Sequence, residues 1–304
     1  MKIIRSLNKI AKTHPSLALT IGNFDGIHLG HLEIIDKVKK IANEKNIFSA
    51  VLTFEPHPAS FFKIKNNLNF RLTSLAQKLR IFKELEIDYA IILPFNQTLA
   101  NISANDFTQK ILIKKLKVCE LIIGYDFAFG KNRQGNFKML ENYDFNLHEI
   151  SPKKINDKTC SSTLIRNLLT DGNIALANQI LGRNFSVQGL VIKGKKLARQ
   201  MNFPTANLKS KPHLIQPKFG VYKSKIFIPH LNKVFNGISN FGFKPTFNDI
   251  GLEPILETHI FNFNQDLYGK KIIVELTDFI RPEKKFSSLS NLKEQIETDI
   301  KNAL

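Results

Sequence analysis

Two histidines, His28 and His31, sit in the string Gly22-Asn23-Phe24-Asp25-Gly26-Ile27-His28-Leu29-Gly30-His31. At that spacing they are neighbours on one side of a first helical turn. The free N–H groups and the dipole of a helix start already favour an anion, so two imidazoles added there suit the phosphates of a nucleotide. Gly22, Gly26 and Gly30 let the backbone turn tightly and approach a ligand closely. Two other readings stand beside this one. One is an ordinary strand-to-helix turn with surface histidines; the other is a zinc site, for which no third ligand of suitable spacing lies nearby.

Other residues along the chain could join such chemistry. His57 and Pro58 close the string Thr53-Phe54-Glu55-Pro56-His57-Pro58, either at a ligand edge or in a proline-stiffened turn. In Gly124-Tyr125-Asp126-Phe127-Ala128-Phe129-Gly130 the aromatic faces could hold a flat ring by stacking, or simply pack in a core. Ser162 and Thr163 are hydroxyls that can cap a helix, and Arg166, one turn in, adds a forked cation suited to phosphate oxygens. Further on, Phe203-Pro204-Thr205-Ala206-Asn207-Leu208 reads as extended. Thr205 and Asn207 then point to one side, where a hydroxyl and an amide oxygen are hard ligands for Mg²⁺ carrying ATP phosphates, or else form a polar strand edge. A period-two reading places Glu257 with Ile255, Phe261 and Phe263 on an apolar face. Desolvation there raises a carboxyl pKa and suits a general base; the alternative is a barrel-end Glu paired to a lysine.

The elements that must position these groups alternate in the first half. Leu17–Ile21 reads as a buried strand, and Leu32, Ile34, Ile35, Val38 and Ile41 fall at helical spacing after it. Strands follow at 47–54, 89–93, 120–123 and 146–150. Helices are expected after an N-cap at Thr73, from Ser103 through Leu116, and over 162–169 and 174–181. Buried strands separated by helices imply right-handed crossovers and a parallel sheet with its ligand at the carboxyl ends of the strands. From Ser186 to Ile280 the pattern is strands and turns, as in an antiparallel barrel. A last amphipathic helix carries Leu292, Ile296 and Ile300. The domain boundary is expected near Gly182–Asn184, giving domains 1–183 and 184–304.

At 304 residues the chain can bury two cores. No apolar run is long enough to span a bilayer, and the first residues lack the features of a signal peptide. Two distant cysteines, Cys119 and Cys160, argue against a disulfide framework and fit a reducing cytoplasm. The net charge of +18 could serve nucleic acid or small polyphosphate substrates. The lysines are spread without a basic tail or an aromatic-interleaved basic repeat, which favours polyphosphates over nucleic acid.

The first string resembles the nucleotide-binding signature of the HxGH nucleotidyltransferases. More closely, it is similar to the amino-terminal half of bacterial bifunctional riboflavin kinase/FMN adenylyltransferases. The Thr53–Pro58, Gly124–Gly130, Ser161–Arg166 and Pro204–Asn207 strings match that family in order. The resemblance implies a Rossmann-like nucleotidyltransferase domain followed by an antiparallel β-barrel riboflavin kinase domain with a terminal helix. It further implies ATP binding in the first domain by Gly22, Phe24, Asp25, Gly26, His28, His31, Ser162, Thr163 and Arg166, with flavin held by His57, Pro58, Asp126 and Phe127. In the barrel, Gly194, Thr205 and Asn207 would bind ATP, Thr205 and Asn207 would contact Mg²⁺, and Glu257 would deprotonate the ribityl hydroxyl of riboflavin. FMN phosphate would then attack the α-phosphorus of ATP, a step that needs positioning and charge stabilisation but no protein nucleophile. Ala198 and Asn202 stand where the family has glycine, so an alternative is FMN adenylylation with a weak kinase barrel. A non-enzymatic, basic nucleic-acid-binding protein is a further alternative.

Overall fold

The computed structural model describes residues 1–7, 16–62, 69–193, 203–209, 211, 213–243 and 254–304. Gly194, Ala198 and Asn202 lie outside them. The chain divides into two compact units, Met1–Ser162 and Thr163–Leu304.

The first unit is built on a parallel sheet of β1 (Lys2–Ile4), β2 (Leu17–Ile21), β3 (Phe48–Glu55), β4 (Tyr89–Pro94), β5 (Val118–Gly124) and β6 (Asn146–Ile150), in the order β1-β4-β3-β2-β5-β6. Helices α1 (Leu29–Glu44), α2 (Pro58–Phe61), α3 (Leu75–Glu84), α4 (Gln97–Ala100), α5 (Ala104–Asp106) and α6 (Phe137–Leu140) and a short hairpin of β7 (Lys154–Ile155) and β8 (Lys158–Thr159) complete it. β2 is buried at every residue because both of its faces are covered. Leu17, Leu19 and Ile21 pack with Phe107, Ile111 and Leu112 on one side, and Ala18 packs with Val38 and Ile41 of α1 on the other. From β2 the chain steps outward one way to β3 and β4, then returns to the other flank as β5 and β6. That reversal makes the carboxyl end of β2 the switch point of the sheet, the place where open α/β sheets bind ligands.

Two local expectations are refined, and one strand is unexpected. Ser74, not Thr73, is the N-cap of α3: its side chain accepts from Gln77 N in a capping box. Thr73 is spent elsewhere, as described below. The helix opened by Ser103 is α5 for one turn and then a π-helix, Phe107–Ile113. β1, too short for a periodic signal, adds a parallel edge to β4.

The second unit takes in α7 (Ser162–Asp171) from its second residue, Thr163, and then α8 (Ile174–Leu181). α8 packs on the barrel that follows: Asn178 Nδ2 donates to the Leu276 carbonyl at 2.9 Å, and its Oδ1 accepts from Phe185 N at 2.7 Å. These bonds tie α8 to the first and last strands of the barrel. β9 (Phe185–Ile192), β10 (Thr205–Lys209), β11 (Gly220–Ile228), β12 (Lys233–Gly242), β13 (Ile255–Ile260) and β14 (Lys271–Pro282) close into an antiparallel barrel ordered β10-β13-β12-β11-β14-β9. Inside it, Ser224 Oγ donates to Ser239 Oγ at 2.9 Å, and Ser239 meets Thr258 Oγ1 at 2.8 Å, so the buried hydroxyls satisfy one another.

The terminal helix α9 (Leu289–Ala303) lays Ile296, Ile300 and Ala303 against Val221 and Ile238 of the barrel wall. Arg281 fastens it, donating from Nε and Nη2 to the buried Asp299 carboxylate at 2.7–3.0 Å. Removing one partner of such a pair costs about 3 kcal/mol or more. Asp299→Asn is therefore expected to lower the denaturant midpoint of the barrel's unfolding, measured by circular dichroism, with the slope unchanged.

Candidate functional site

β2 delivers the chain to the switch point, where Gly22 N donates to the Leu52 carbonyl of β3 at 3.0 Å. The turn beyond is left-handed at Phe24 (φ +45°), Gly26 (φ +87°) and Ile27 (φ +44°). Positive φ on an aromatic and a β-branched residue costs of order 1–3 kcal/mol each, and it persists only where surrounding structure dictates it. Here the surroundings are specific. Phe24 and Ile27 are buried with Ile35, Val51 and Phe82. Asp25 is buried, and its Oδ1 accepts the N–H groups of Leu72 at 2.9 Å and Thr73 at 3.2 Å. Thr73 Oγ1 in turn accepts from Gly26 N at 3.1 Å. The Asn23 carbonyl accepts from Lys78 Nζ at 2.8 Å and Thr53 Oγ1 at 3.3 Å. Ser162 Oγ donates to the Asp25 carbonyl at 2.7 Å.

This turn ends in the histidine pair. His28 is the extended N-cap of α1 and is buried, while His31 lies in the first turn. Their rings stack at 3.7 Å with an interplanar angle of 21°, and Phe24 meets His31 edge-on at 5.2 Å. A Cβ on Gly30 would lie 3.3 Å from Cε1 and Nδ1 of His28, so a glycine between the two leaves the His28 ring room to fold over. Two basic groups beside the turn were not singled out from sequence. Lys78 is buried, and Arg71, also buried, grips Glu55 with two bonds of 2.8 Å.

The flavin candidates lie at the ends of the strands that flank β2. His57 is the N-cap of α2; its Nδ1 accepts from Ala59 N at 3.1 Å, leaving the neutral ring's proton on Nε2. Pro58 opens α2, where a missing N–H costs nothing. After β5, Phe127 N donates to the Gly124 carbonyl at 3.0 Å, Asp126 is exposed, and Phe127 is half-buried. Phe127 stacks on Phe129 at 5.4 Å, and Phe129 is a core residue, so packing accounts for the second aromatic. The nucleotide candidates divide between the units. Gly22, Phe24, Asp25, Gly26, His28, His31 and Ser162 belong to the first, whereas Thr163 and Arg166 continue α7 in the second.

In the barrel, Thr205 pairs with His259 and Asn207 with Glu257 across β10 and β13, and Glu257 pairs with Asn240 on β12. Residues some fifty apart in sequence thus share one face through strand register. Asn207 is buried, and His259 Nδ1 lies 2.9 Å from the Pro204 carbonyl. A cavity of about 510 Å³ is lined by Pro204, Thr205, Asn207, Thr258, Asp266 and Tyr268 among others. Glu257 stands beside it as the cross-strand neighbour of Asn207.

One expectation is corrected here. The buried alternates of β13 are Leu256, Thr258 and Ile260, which face the barrel interior, whereas Glu257 is half-buried on the other face. Among the described residues, the fully buried side of β13 is therefore the one opposite Glu257. Its place beside Asn207 now carries the argument that burial cannot.

As for a metal, Thr205 and Asn207 offer two neutral oxygen donors on alternate residues of one strand face. Among the described residues no group of three or more His, Cys, Asp or Glu side chains could hold an ion. That donor set fits Mg²⁺, which keeps waters and substrate phosphates in its shell rather than a full protein cage. Also among the described residues, no helix is long and apolar enough to cross a membrane.

Comparison with known proteins identifies the family of each half. A family model for FAD synthetase matches residues 10–164, and one for riboflavin kinase matches residues 181–304. The bifunctional riboflavin kinase/FMN adenylyltransferase of Buchnera aphidicola subsp. Schizaphis graminum is 41% identical, covering 99% of this chain and 97% of its own. The protein of the same name from Escherichia coli K12 is 35% identical, covering 98% and 96%. The crystal structure of Macrolide-efflux Protein from Streptococcus pneumoniae superposes with a TM-score of 0.88 at 28% identity, over 99% of this chain and 98% of its own. With both halves matched in order and the relatives aligned from end to end, the chain belongs to the family of bifunctional riboflavin kinase/FMN adenylyltransferases.

Proposed function

We propose that the stacked His28–His31 pair at the tip of α1 and the Thr205–Asn207–Glu257 face of the barrel are the two reaction centres of this chain. The activities themselves follow from the family: riboflavin is phosphorylated by ATP to FMN, and FMN is adenylylated by a second ATP to FAD with release of pyrophosphate. The observation that carries the first assignment is the ring stack at 3.7 Å, set where the sheet order reverses and anions are favoured.

In the adenylylating domain, which we assign to residues 1–183, Gly22, Phe24, Asp25 and Gly26 form the turn under the nucleotide. His28 and His31 donate to the phosphate oxygens on which charge builds as pyrophosphate leaves. Ser162 steadies the turn through the Asp25 carbonyl, and the family resemblance assigns Thr163 and Arg166 of α7 to ATP. His57, Pro58, Asp126 and Phe127 hold the flavin at the neighbouring strand ends.

In the kinase domain, residues 184–304, Glu257 takes the proton from the ribityl hydroxyl as it attacks the γ-phosphorus of ATP. Gly194, outside the described residues, is assigned to ATP by the family resemblance alone. Thr205 Oγ1 and Asn207 Oδ1 would hold Mg²⁺, which would neutralise triphosphate charge. The unpaired Cys119 and Cys160 support a cytoplasmic setting.

Incubation with riboflavin and MgATP is expected to yield FMN and then FAD, resolved by chromatography. Excess EDTA is expected to abolish FMN formation, and added Mg²⁺ to restore it. Unconverted riboflavin with MgATP, or FMN formation indifferent to EDTA, would defeat the kinase assignment.

A further inference from the structure

Lys78 is an unusual residue for its position. It lies on α3, an amphipathic helix, yet its side chain is turned inward and its residue is 1% exposed. Lysine is almost never fully buried without a partner. Its Nζ donates to the Asn23 carbonyl at 2.8 Å and lies 3.5 Å from Thr53 Oγ1. The Asn23 carbonyl is the last acceptor before the left-handed run Phe24–Ile27, and that run ends at His28.

We propose that Lys78 is a positioning residue for adenylyl transfer: its ammonium holds the Asn23 carbonyl and, through it, the strained turn that brings His28 over His31. The inference rests on the assignment of the histidine pair to that reaction.

Three features carry it. The turn stores strain at Phe24 and Ile27, so it needs external restraint, and side chains supply it at the Asn23 and Asp25 carbonyls and the Gly26 amide. Asp25 and Thr73 restrain the middle, whereas Lys78 and Thr53 restrain the start. A charged donor makes the stronger bond of the two at Asn23, by charge assistance and by its shorter distance. Finally, a buried cation beneath the turn adds positive potential on the side from which a triphosphate would be approached.

The charge is finely poised. Burial, with a smaller push from Arg71 and against the opposing pull of Asp25 and Glu55, lowers the Lys78 pKa to about 8. These are the charged groups that face it: Arg71 from the segment before α3, Asp25 from the turn, Glu55 from the end of β3. Activity and stability should therefore respond to pH with opposite signs. As pH rises through about 8 the folded chain loses the ammonium, and adenylylation should fall. The folded pKa lies below the ordinary value of 10.5, so the unfolded chain binds the extra proton between the two values. This group's contribution to stability should accordingly rise from about pH 8 to pH 10.5. A lysine with only a structural role would follow stability.

The test is a double-mutant cycle in the full-length chain, read as kcat and KM for FAD formation from supplied FMN, with riboflavin phosphorylation measured alongside. Lys78→Met is expected to lower kcat about tenfold to hundredfold, the range typical of misplaced catalytic groups, with KM for ATP changed less. Thr53→Val should lower it less. The double variant should fall short of the product of the two effects, because both act on one carbonyl. The alkaline limb near pH 8 should be present in the wild type and absent from Lys78→Met. If Lys78→Met does not fold, Lys78→Gln replaces it in the same cycle. A kcat within twofold of wild type, multiplicative effects, or an unchanged alkaline limb would overturn the proposal. A His28→Ala variant run in parallel separates the two levels: if it keeps full FAD formation, the histidine assignment falls, whatever Lys78 does.

Discussion

His28→Ala and His31→Ala are each expected to cut FAD formation from FMN by about 10²–10³-fold while leaving riboflavin phosphorylation within twofold of wild type. The size follows from what the reaction asks of the protein. FMN supplies the nucleophile and pyrophosphate is the leaving group, so the chain contributes positioning and charge stabilisation. Removing a single preorganised donor to a developing oxyanion costs about 10²–10³ in kcat. Because these donors act on charge that appears in the transition state, kcat and kcat/KM should fall together. The double variant should lose little more than the worse single one. With the rings stacked at 3.7 Å, deleting either leaves the other without its support. Gly30→Ala offers a milder form of the same lesion. Its new methyl would sit 3.3 Å from the His28 ring and push it aside without removing a nitrogen. Steady-state assays with FMN and with riboflavin as separate substrates check all of this. If FAD formation survives in both alanine variants, the histidines are not the adenylylating centre.

Much of this site was legible in the sequence because its signals are local. A buried run at Leu17–Ile21, glycines at fixed offsets and a helical period after His31 specify strand, turn and helix without reference to anything distant. The barrel was legible as a change from alternating elements to strands alone.

What escaped depends on contacts between residues far apart. Lys78 falls in a helix whose period assigned Leu75, Leu79, Phe82 and Leu85 inward, and a lysine there reads as solvated. Phe82 is buried as expected and Leu79 and Leu85 pack against its cluster, but the structure also buries Gln77, Lys78 and Ile81, and Lys78 reaches the turn at Asn23, fifty-five residues upstream. Thr73 looked like a helix cap, since hydroxyls before an apolar period usually are. Its partner is Gly26, and Ser74 takes the cap. For Glu257, period two correctly separated the faces of its strand but could not say which one the barrel encloses. Closure decides that, and it put Leu256, Thr258 and Ile260 inside.

That outward placement sharpens the second large prediction. Glu257→Gln keeps the shape of the side chain and removes its capacity to accept a proton. Riboflavin phosphorylation is expected to fall by about 10²–10⁴-fold, the usual contribution of a general base. Strand register sets Glu257 directly opposite Asn207, with Thr205 two residues along the same strand face, so base and metal-ligand candidates sit within one hydrogen-bonded ladder. Behind that ladder, Thr258 is locked to Ser239 at 2.8 Å inside the barrel, which limits how far β13 can shift when residue 257 is altered. The Gln variant should therefore stay folded, with its thermal midpoint little changed. Adenylylation of supplied FMN should be unaffected, whereas FAD made from riboflavin should fall as steeply as FMN does, because the first step now limits the second. A drop in both starting-substrate assays would mean a general loss of fold, and an unchanged rate from riboflavin would remove Glu257 from the proton transfer. The decisive contrast is between two substrates on one protein: a defect confined to riboflavin places the lost proton acceptor on the barrel face beside Asn207.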